Sequence, residues 1–156
     1  KPEESRLTPG RDDISVWLFQ ANPQRYDILN ALADPEVGNR IHWLVNQHKG
    51  RIHKGHLALI WMSGPDAGIY ALTRIESEPA AMIEPPPESR YWFGQSENRV
   101  ARRVAMTVVR RFINRPLLRR DLLGLSGLKT LAIFRQHQGT NFPVTDREWS
   151  VIAQLI

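Results

Sequence analysis

The sequence contains no cysteine, which excludes disulfide bonds and any zinc site built on thiolates. It also has no run of about 18 apolar residues, so no membrane-spanning helix is expected. The first residues lack the apolar stretch of a secretory signal peptide, and the chain begins with Lys1 rather than Met. We therefore expect a cytoplasmic domain that is part of a longer protein.

Motifs for catalysis are missing as well. There is no Gly-x-Ser-x-Gly elbow, no catalytic cysteine and no His-Glu-x-x-His pair, and the glycines do not form a phosphate-binding loop. The acidic residues are scattered among turns and helix starts rather than clustered. His48, His53 and His56 lie close together, but no neighbouring carboxylate completes a tetrahedral zinc set. We expect no catalytic residue, no metal and no cofactor.

The sequence does have an uneven distribution of charge. Its net charge is +5 over 156 residues. Residues 99–147 carry 11 Lys or Arg against two acids, a net charge of +9, and the remainder is at −4. Such asymmetry favours a polyanionic partner, and nucleic acid is the common one. The alternative is a solvated, arginine-rich face with no partner.

Short apolar runs separated by turn residues predict several strands. Residues 15–19 are the first, and residues 57–62 and 69–75 flank a turn-rich hexapeptide, which predicts a hairpin. The β-branched content of residues 100–113 favours a long strand, with a helix as the alternative. Residues 131–134 predict a further strand.

Helix signals lie between these strands. Asn22-Pro23 predicts a helix start, and this helix would end before Asp34. A short helix is predicted from Pro116 to Leu123, and a capping box at Thr145 predicts a C-terminal helix. Residues 1–13 are interpreted as a flexible lead-in, and residues 14–156 as the domain. Together these elements predict an α/β (α+β) fold with a small barrel or strongly curved sheet.

Three segments carry a resemblance to a known family. They are residues 41–49 (IHWLVNQHK), residues 57–71, with the turn Ser-Gly-Pro-x-x-Gly-Ile, and residues 133–145, with the tail Arg-Gln-x-Gln-Gly-Thr-Asn-Phe-Pro. Together they resemble an EVE domain, a member of the PUA-like superfamily and a relative of the YTH domain. The resemblance implies a curved mixed sheet flanked by short helices, with an aromatic pocket for a nucleobase.

The resemblance also implies which residues line that pocket. Trp43 would form one wall, Trp61 with Ser63 the second, and Tyr91 or Trp92 the third. Polar contacts to the base would come from Gln20 and Asn22 at the end of the first strand and from Asn46 and Gln47. Aromatic faces return the stacking energy that an extruded base loses, about 1–3 kcal/mol per base. Trp17 and Trp149, which have regular apolar neighbours, are interpreted as core residues.

Phosphate contacts are expected from the basic residues, because arginine is suited to bidentate phosphate binding. The candidates are Lys49, Arg51, Lys54, Arg102, Arg103, Arg110, Arg111 and Arg135, with Arg115, Arg119 and Arg120 as further members of the same surface. In the tail, Asn141 is left open between nucleic-acid contact and a structural role, whereas Phe142 is interpreted as buried.

The main hypothesis is a module that reads a modified base in double-stranded DNA by flipping it between Trp43 and Trp61. Methylated or hydroxymethylated cytosine and N6-methyladenine are the candidate bases. The resemblance implies a specificity domain of a modification-dependent restriction system, fused to or associated with a nuclease or ATPase. A reader of modified RNA is one alternative. A small-molecule or protein interaction domain, in which the aromatic residues are core, is the other.

Overall fold

The computed structural model describes residues 15–94 and 99–156, so the predicted lead-in over residues 1–13 lies outside the described residues. The elements in chain order are β1 (Val16–Ala21), α1 (Ile28–Ala33), β2 (Arg40–Leu44), β3 (Leu57–Met62), β4 (Gly68–Ile75), β5 (Ala80–Met82), a 3-10 helix (Glu88–Tyr91), β6 (Ala101–Arg111), β7 (Leu117–Leu118), α2 (Arg119–Leu123), α3 (Ala132–Arg135), β8 (Asn141–Val144) and α4 (Asp146–Ala153).

All eight strands belong to one curled, half-barrel sheet in the order β2-β6-β4-β3-β1-β8. Strands β5 and β7 pair with β6 and β4 respectively. The pairing of β1 with β3 is parallel, from Val16 opposite Leu57 to Ala21 opposite Met62, and the other pairings are antiparallel. Parallel neighbours end at the same edge of a sheet, so the loops after β1 and β3 lie side by side.

Strand β3 is buried along its whole length, and its alternate side chains enter two different cores. Ala58, Ile60 and Met62 belong to the first core, which contains α1. The residues of opposite parity belong to the second core, which contains residues of α2, α3 and α4. A strand covered on both faces has a continuous apolar sequence rather than an alternating one, which is why residues 57–62 are uniformly apolar.

Several sequence predictions are confirmed by these elements. The first strand, the β3–β4 hairpin and the long strand β6 all form near their predicted positions. The helix predicted from Pro116 to Leu123 ends as expected, with Gly124 as the C-cap of α2, but it begins only at Arg119 because Leu117–Leu118 pair with β4 as β7. Both hydrogen bonds of the capping box between Thr145 and Glu148 are present at the start of α4. The predicted mixed fold with a strongly curved sheet is therefore correct.

Two local predictions are wrong. Residues 131–134 do not form a strand. The chain instead forms the short helix α3, which buries Ile133 in the second core. An apolar run of four residues does not distinguish helix from strand by its periodicity. Asn22 does not cap a helix either, since its Oδ1 accepts from the amide of Gln24 in a turn and α1 is capped by Asp27. None of the described helices is long and apolar enough to cross a membrane.

We expect Gly68→Ala to destabilise the fold. A Cβ at residue 68 would lie 2.4 Å from the carbonyl oxygen of Leu117 and 2.9 Å from Cα of Leu118, where β4 pairs with β7. Because both contacts are backbone, the free energy of unfolding in urea should fall by about 2 kcal/mol. Gly50→Ala is the control, since a Cβ there meets nothing within 4 Å. Equal stability of the two variants would contradict this expectation.

Candidate functional site

A cavity of about 560 Å³ opens at the edge of the sheet where β1 and β3 end. We call it the base cavity, after the nucleobase pocket that the family resemblance implies. Its walls come from the chain after β1, the end of β2, the turn after β3, Trp92, Arg99 and the tail. The lining residues are Gln20, Asn22, Arg25, Tyr26, Leu44, Asn46, Ser63, Trp92, Arg99, His137, Gln138, Gly139 and Thr140. The volume lies in the range of small-ligand sites.

Five of the nine predicted pocket residues line this cavity. They are Gln20, Asn22, Asn46, Ser63 and Trp92. Their positions follow from the sheet, because Gln20 and Asn22 lie at the end of β1 while Ser63 directly follows β3. The cavity therefore combines polar side chains with one large aromatic residue that the sequence identified.

The aromatic wall consists of Trp92 and Tyr26. Their ring centroids lie 4.6 Å apart, and an isolated β-bridge joins the backbones of the two residues. Trp43 is 5% exposed and does not line the cavity. It stacks on Trp92 instead, with centroids 5.6 Å apart and an interplanar angle of 8°. Its Nε1 donates to the carbonyl oxygen of Gln20 at 3.1 Å. Trp43 thus supports the wall rather than forming its surface.

The prediction that a base is held between Trp43 and Trp61 is wrong. Trp43 lies in the first core, whereas Trp61 lies in the second and packs its edge on Phe134. Residue 61 has the parity of Leu57 and Leu59, so the alternation of β3 turns its ring to the opposite face. Trp61 lines an adjoining cavity of about 360 Å³.

Two further predicted pocket residues have structural partners. The hydroxyl group of Tyr91 donates to Oδ2 of Asp34 at 2.6 Å, and Tyr91 does not line the base cavity. Gln47 uses its side-chain oxygen to accept from the amides of Thr140 and Asn141 at 2.8 and 2.9 Å. The sequence placed both residues near the site but did not indicate these partners.

Asn141 completes a reciprocal arrangement with Gln47. Its Oδ1 accepts from the amides of Asn46 and Gln47 at 2.7 and 3.1 Å, and its Nδ2 donates to the carbonyl oxygen of Leu44 at 3.0 Å. Asn141 is 2% exposed, so its bond to Leu44 is buried and its bonds to Asn46 and Gln47 are partly buried. They attach the tail to the end of β2 and so hold the wall formed by residues 137–140. The question that the sequence left open for Asn141 is settled in favour of a structural role.

A buried acidic pair holds the aromatic wall from inside the first core. Nε1 of Trp92 donates to Oε1 of Glu84 at 2.6 Å. The hydroxyl group of Tyr26 donates to the carbonyl oxygen of Glu88 at 3.0 Å. The carboxylate of Glu88 accepts from the amide of His42 at 2.6 Å. Both glutamates are at most 3% exposed, so the orientation of the two rings depends on buried polar groups.

Burial raises the pKa of the Glu84 carboxyl, and repulsion from Glu88 adds to the effect. Burial likewise raises the pKa of Glu88, although the amide of His42 opposes the shift. Arg103 is the nearby cation, and its side chain is completely buried. The prediction that Arg103 binds phosphate is therefore wrong. At this point β6 lies between β2 and β5, which leaves Arg103 no open edge.

The other predicted phosphate residues do not line the base cavity. The side chain of Arg111 bonds to Leu32, Gly38 and Asn39, which identifies it as a clamp between β6 and the loop after α1. The remaining candidates are exposed: Lys49, Arg51, Lys54, Arg102, Arg110 and Arg135. Their role in phosphate binding stays a prediction.

Sequence reasoning missed the two arginines at the cavity, Arg25 and Arg99, along with Tyr26 and His137. Arg25 and Tyr26 lie two and three residues after Pro23, and a turn prediction at Asn22-Pro23 would have placed both near the end of β1. Arg99 and His137 reach the site only through long-range packing. Within residues 15–94 and 99–156, no group of three or more His, Asp or Glu side chains is arranged to hold a metal ion.

The sequence matches the model of the EVE domain family over residues 15–155. The chain therefore belongs to the EVE domain family, and the predicted PUA-like fold is confirmed. None of the curated proteins compared with the chain matches it significantly.

Solved structures share this fold at low sequence identity. A hypothetical protein from Leishmania major has a TM-score of 0.64 and 18% identity, over 92% of this chain and 95% of its own. A protein from Pseudomonas putida has a TM-score of 0.58 and 24% identity, over 90% and 98%. The human THYN1 protein in complex with 5-methylcytosine-containing DNA has a TM-score of 0.63 and 17% identity, over 90% and 96%.

We expect Asn141→Ala to destabilise the domain by about 3 kcal/mol. The substitution leaves the amides of Asn46 and Gln47 and the carbonyl of Leu44 without their buried partner, and each such group costs about 1–3 kcal/mol. Urea unfolding followed by circular dichroism measures the loss. Asn114→Ala, at an exposed position, is the control and should change stability by less than about 0.5 kcal/mol. Similar losses in both variants would refute the bracing role of Asn141.

We expect Glu84→Gln to become progressively more stable than the wild type as pH rises from about 5 to about 9. Because the pKa of Glu84 is raised in the folded state, its contribution to stability is present at low pH and is lost as the carboxyl ionises. Glutamine stays neutral and keeps an oxygen that accepts from Trp92. Melting temperatures of the two proteins across this range measure the trend. The exposed substitution Glu36→Gln is the control, and a difference that shrinks with pH would contradict the assignment.

Proposed function

We propose that this domain binds double-stranded DNA that contains a modified base and receives that base, flipped from the duplex, in the base cavity. The observation that carries the proposal is the cavity itself, which combines Trp92 and Tyr26 with polar side chains at the carboxyl ends of β1 and β3. Membership of the EVE family supports it, as does the structural likeness to a protein solved with 5-methylcytosine-containing DNA.

Two asparagines offer the hydrogen bonds that a base edge requires. Nδ2 of Asn46 donates to Oγ1 of Thr140, which leaves its Oδ1 as an acceptor. Oδ1 of Asn22 accepts from the amide of Gln24, which leaves its Nδ2 as a donor. Neither remaining group bonds to a residue within the described part of the chain. Cytosine presents an amino donor beside two acceptors, so the two asparagines match its edge.

The remaining lining suits the other parts of a modified nucleotide. The Trp92 ring supplies stacking for the base, and the apolar surfaces of Leu44 and Tyr26 suit a methyl group. Arg25 and Arg99, which also line the cavity, suit the negative backbone. On this basis 5-methylcytosine is the first candidate ligand, with 5-hydroxymethylcytosine and N6-methyladenine next.

The wider role we propose is that of a specificity module in a modification-dependent restriction system. The sequence has no catalytic motif of its own, so cleavage would be carried out by an attached or associated nuclease or ATPase. A cleavage assay with the isolated full-length protein on methylated and unmethylated plasmids tests this role in restriction. Cleavage that ignores methylation would refute it.

The first test is binding to matched duplexes that are unmodified or carry 5-methylcytosine, 5-hydroxymethylcytosine or N6-methyladenine, with an RNA counterpart. We expect at least about tenfold preference for one modified DNA, or about 1.4 kcal/mol, which persists when salt is raised. Preference for the RNA would identify a modified-RNA reader instead. Equal affinity for all of these nucleic acids, lost as salt is raised, would indicate only attraction to a basic surface and would refute recognition of a modified base.

Trp92→Ala should remove most of that preference while DNA binding at low salt remains. Of the two aromatic residues in the wall, Trp92 is partly exposed and Tyr26 is only 2% exposed, so Trp92 offers the stacking surface, and its loss costs about 1–3 kcal/mol for the bound base. Trp92→Phe should retain part of the preference. Trp149→Phe changes a tryptophan of the second core, away from the cavity, and should keep the full preference. Unchanged selectivity in Trp92→Ala would exclude this cavity as the base site.

A further inference from the structure

A second cavity adjoins the base cavity and has a different chemical character. Its volume is about 360 Å³, and it shares Gln20, Ser63 and His137 with the base cavity. The part that is not shared contains Trp61, Ile133 and Arg119, together with the turn after β3. The two cavities therefore form one bipartite space, and Arg119 provides the cation of the smaller half.

The structure holds Arg119 in a defined position. The guanidinium carbon lies 5.3 Å from the centroid of the Phe134 ring, and the backbone amide of Arg119 donates to the carbonyl oxygen of Ala67 at 2.8 Å. Phe134 is itself packed edge-on against Trp61 at 6.1 Å. Stacking on an aromatic ring orients the guanidinium plane while its N–H groups stay available.

Arg119 has no acidic partner in the described part of the chain. The salt bridges among residues 15–94 and 99–156 involve other cations. No hydrogen bond joins the Arg119 side chain to a described residue, although the side chain is partly buried. An oriented, half-buried arginine without a carboxylate suits an anion from outside, and phosphate fits its planar fork of donors. His137 lines both cavities, and an imidazole is able to offer a further donor.

We infer that the smaller cavity is a phosphate subsite, in which Arg119 binds the phosphate group attached to the nucleotide whose base occupies the base cavity. This inference rests on the proposed function and specifies how the flipped nucleotide is held. A base in one half and its phosphate in the adjoining half match the bipartite shape. Sequence analysis placed Arg119 only within a general basic surface.

Neighbouring arginines provide a matched pair of variants. Arg120 follows Arg119 on α2 and is exposed, but it lines neither cavity. With a duplex that carries one 5-methylcytosine, we expect Arg119→Gln to bind about tenfold more weakly. The slope of log Kd against log salt should fall by about 0.9, the value for one lost phosphate contact. Arg120→Gln should change the affinity far less. Equal losses in both variants would overturn the assignment.

A chemically neutralised phosphate locates the contact. A methylphosphonate beside the modified nucleotide, on its 5′ or its 3′ side, should weaken wild-type binding and leave Arg119→Gln unaffected. A methylphosphonate placed several nucleotides away should affect both proteins equally. If the methylphosphonate weakens binding of the wild type and of Arg119→Gln by the same factor at every position, the assignment of the subsite is overturned.

Further controls distinguish a failure of this inference from a failure of the proposed function and from misfolding of a variant. Arg119→Lys should restore the salt slope but only part of the affinity, since lysine lacks the bidentate fork, and melting temperatures verify that each variant is folded. With free ligands, 5-methyl-deoxycytidine monophosphate should bind the wild type better than its nucleoside, and Arg119→Gln should bind both equally. If the wild type ignores methylation but retains the methylphosphonate coupling, the proposed function fails and the phosphate subsite stands.

Discussion

The parallel pairing of β1 with β3 is the constraint on which the rest of the structure depends. Because these two strands are covered on both faces, all of their side chains except Gln20, which lines the base cavity, enter one of two separate cores. The helices are consequently distributed over both faces of the sheet. Parallel strands also end together, so the loops that follow Ala21 and Met62 meet at one edge. The base cavity and its smaller neighbour are the space that those loops enclose, and both owe their position to this pairing.

The walls of the base cavity come from segments that are distant in sequence, and buried polar groups fix their positions relative to one another. Gln47 and Asn141 exchange hydrogen bonds across more than ninety residues and fix the tail against β2. Glu84 and Glu88 hold the aromatic wall through Trp92 and Tyr26. Burial of two carboxyl groups beside Arg103 costs stability, and an apolar core would avoid that cost. The arrangement instead fixes the orientation of rings that a ligand would contact, as a preorganised binding site requires.

Local sequence patterns were sufficient for β1, the β3–β4 hairpin and the long strand β6, but not for β2, β5, β7 and β8. Gln20, Asn22 and Ser63 were identified through the family resemblance, and the structure places all three in the lining of the base cavity. Trp61 was misassigned although its parity with Leu57 and Leu59 already indicated the other face. Arg103 could not be assigned from sequence, because its burial depends on β2 and β5, strands distant along the chain. The same reason applies to Arg99 and His137, which only tertiary packing brings to the cavity.

The stacked pair of Trp43 and Trp92 has an optical consequence. Two indoles that lie nearly parallel with their centroids 5.6 Å apart couple their excited states. Such coupling of the intense indole transitions produces a paired band in far-ultraviolet circular dichroism, and its amplitude depends on the angle and separation of the rings. Trp92 forms the cavity surface while Trp43 stays buried in the first core, so any ligand that moves Trp92 alters the band. The domain therefore carries a built-in spectroscopic reporter of its own binding site, which needs neither a label nor a substitution.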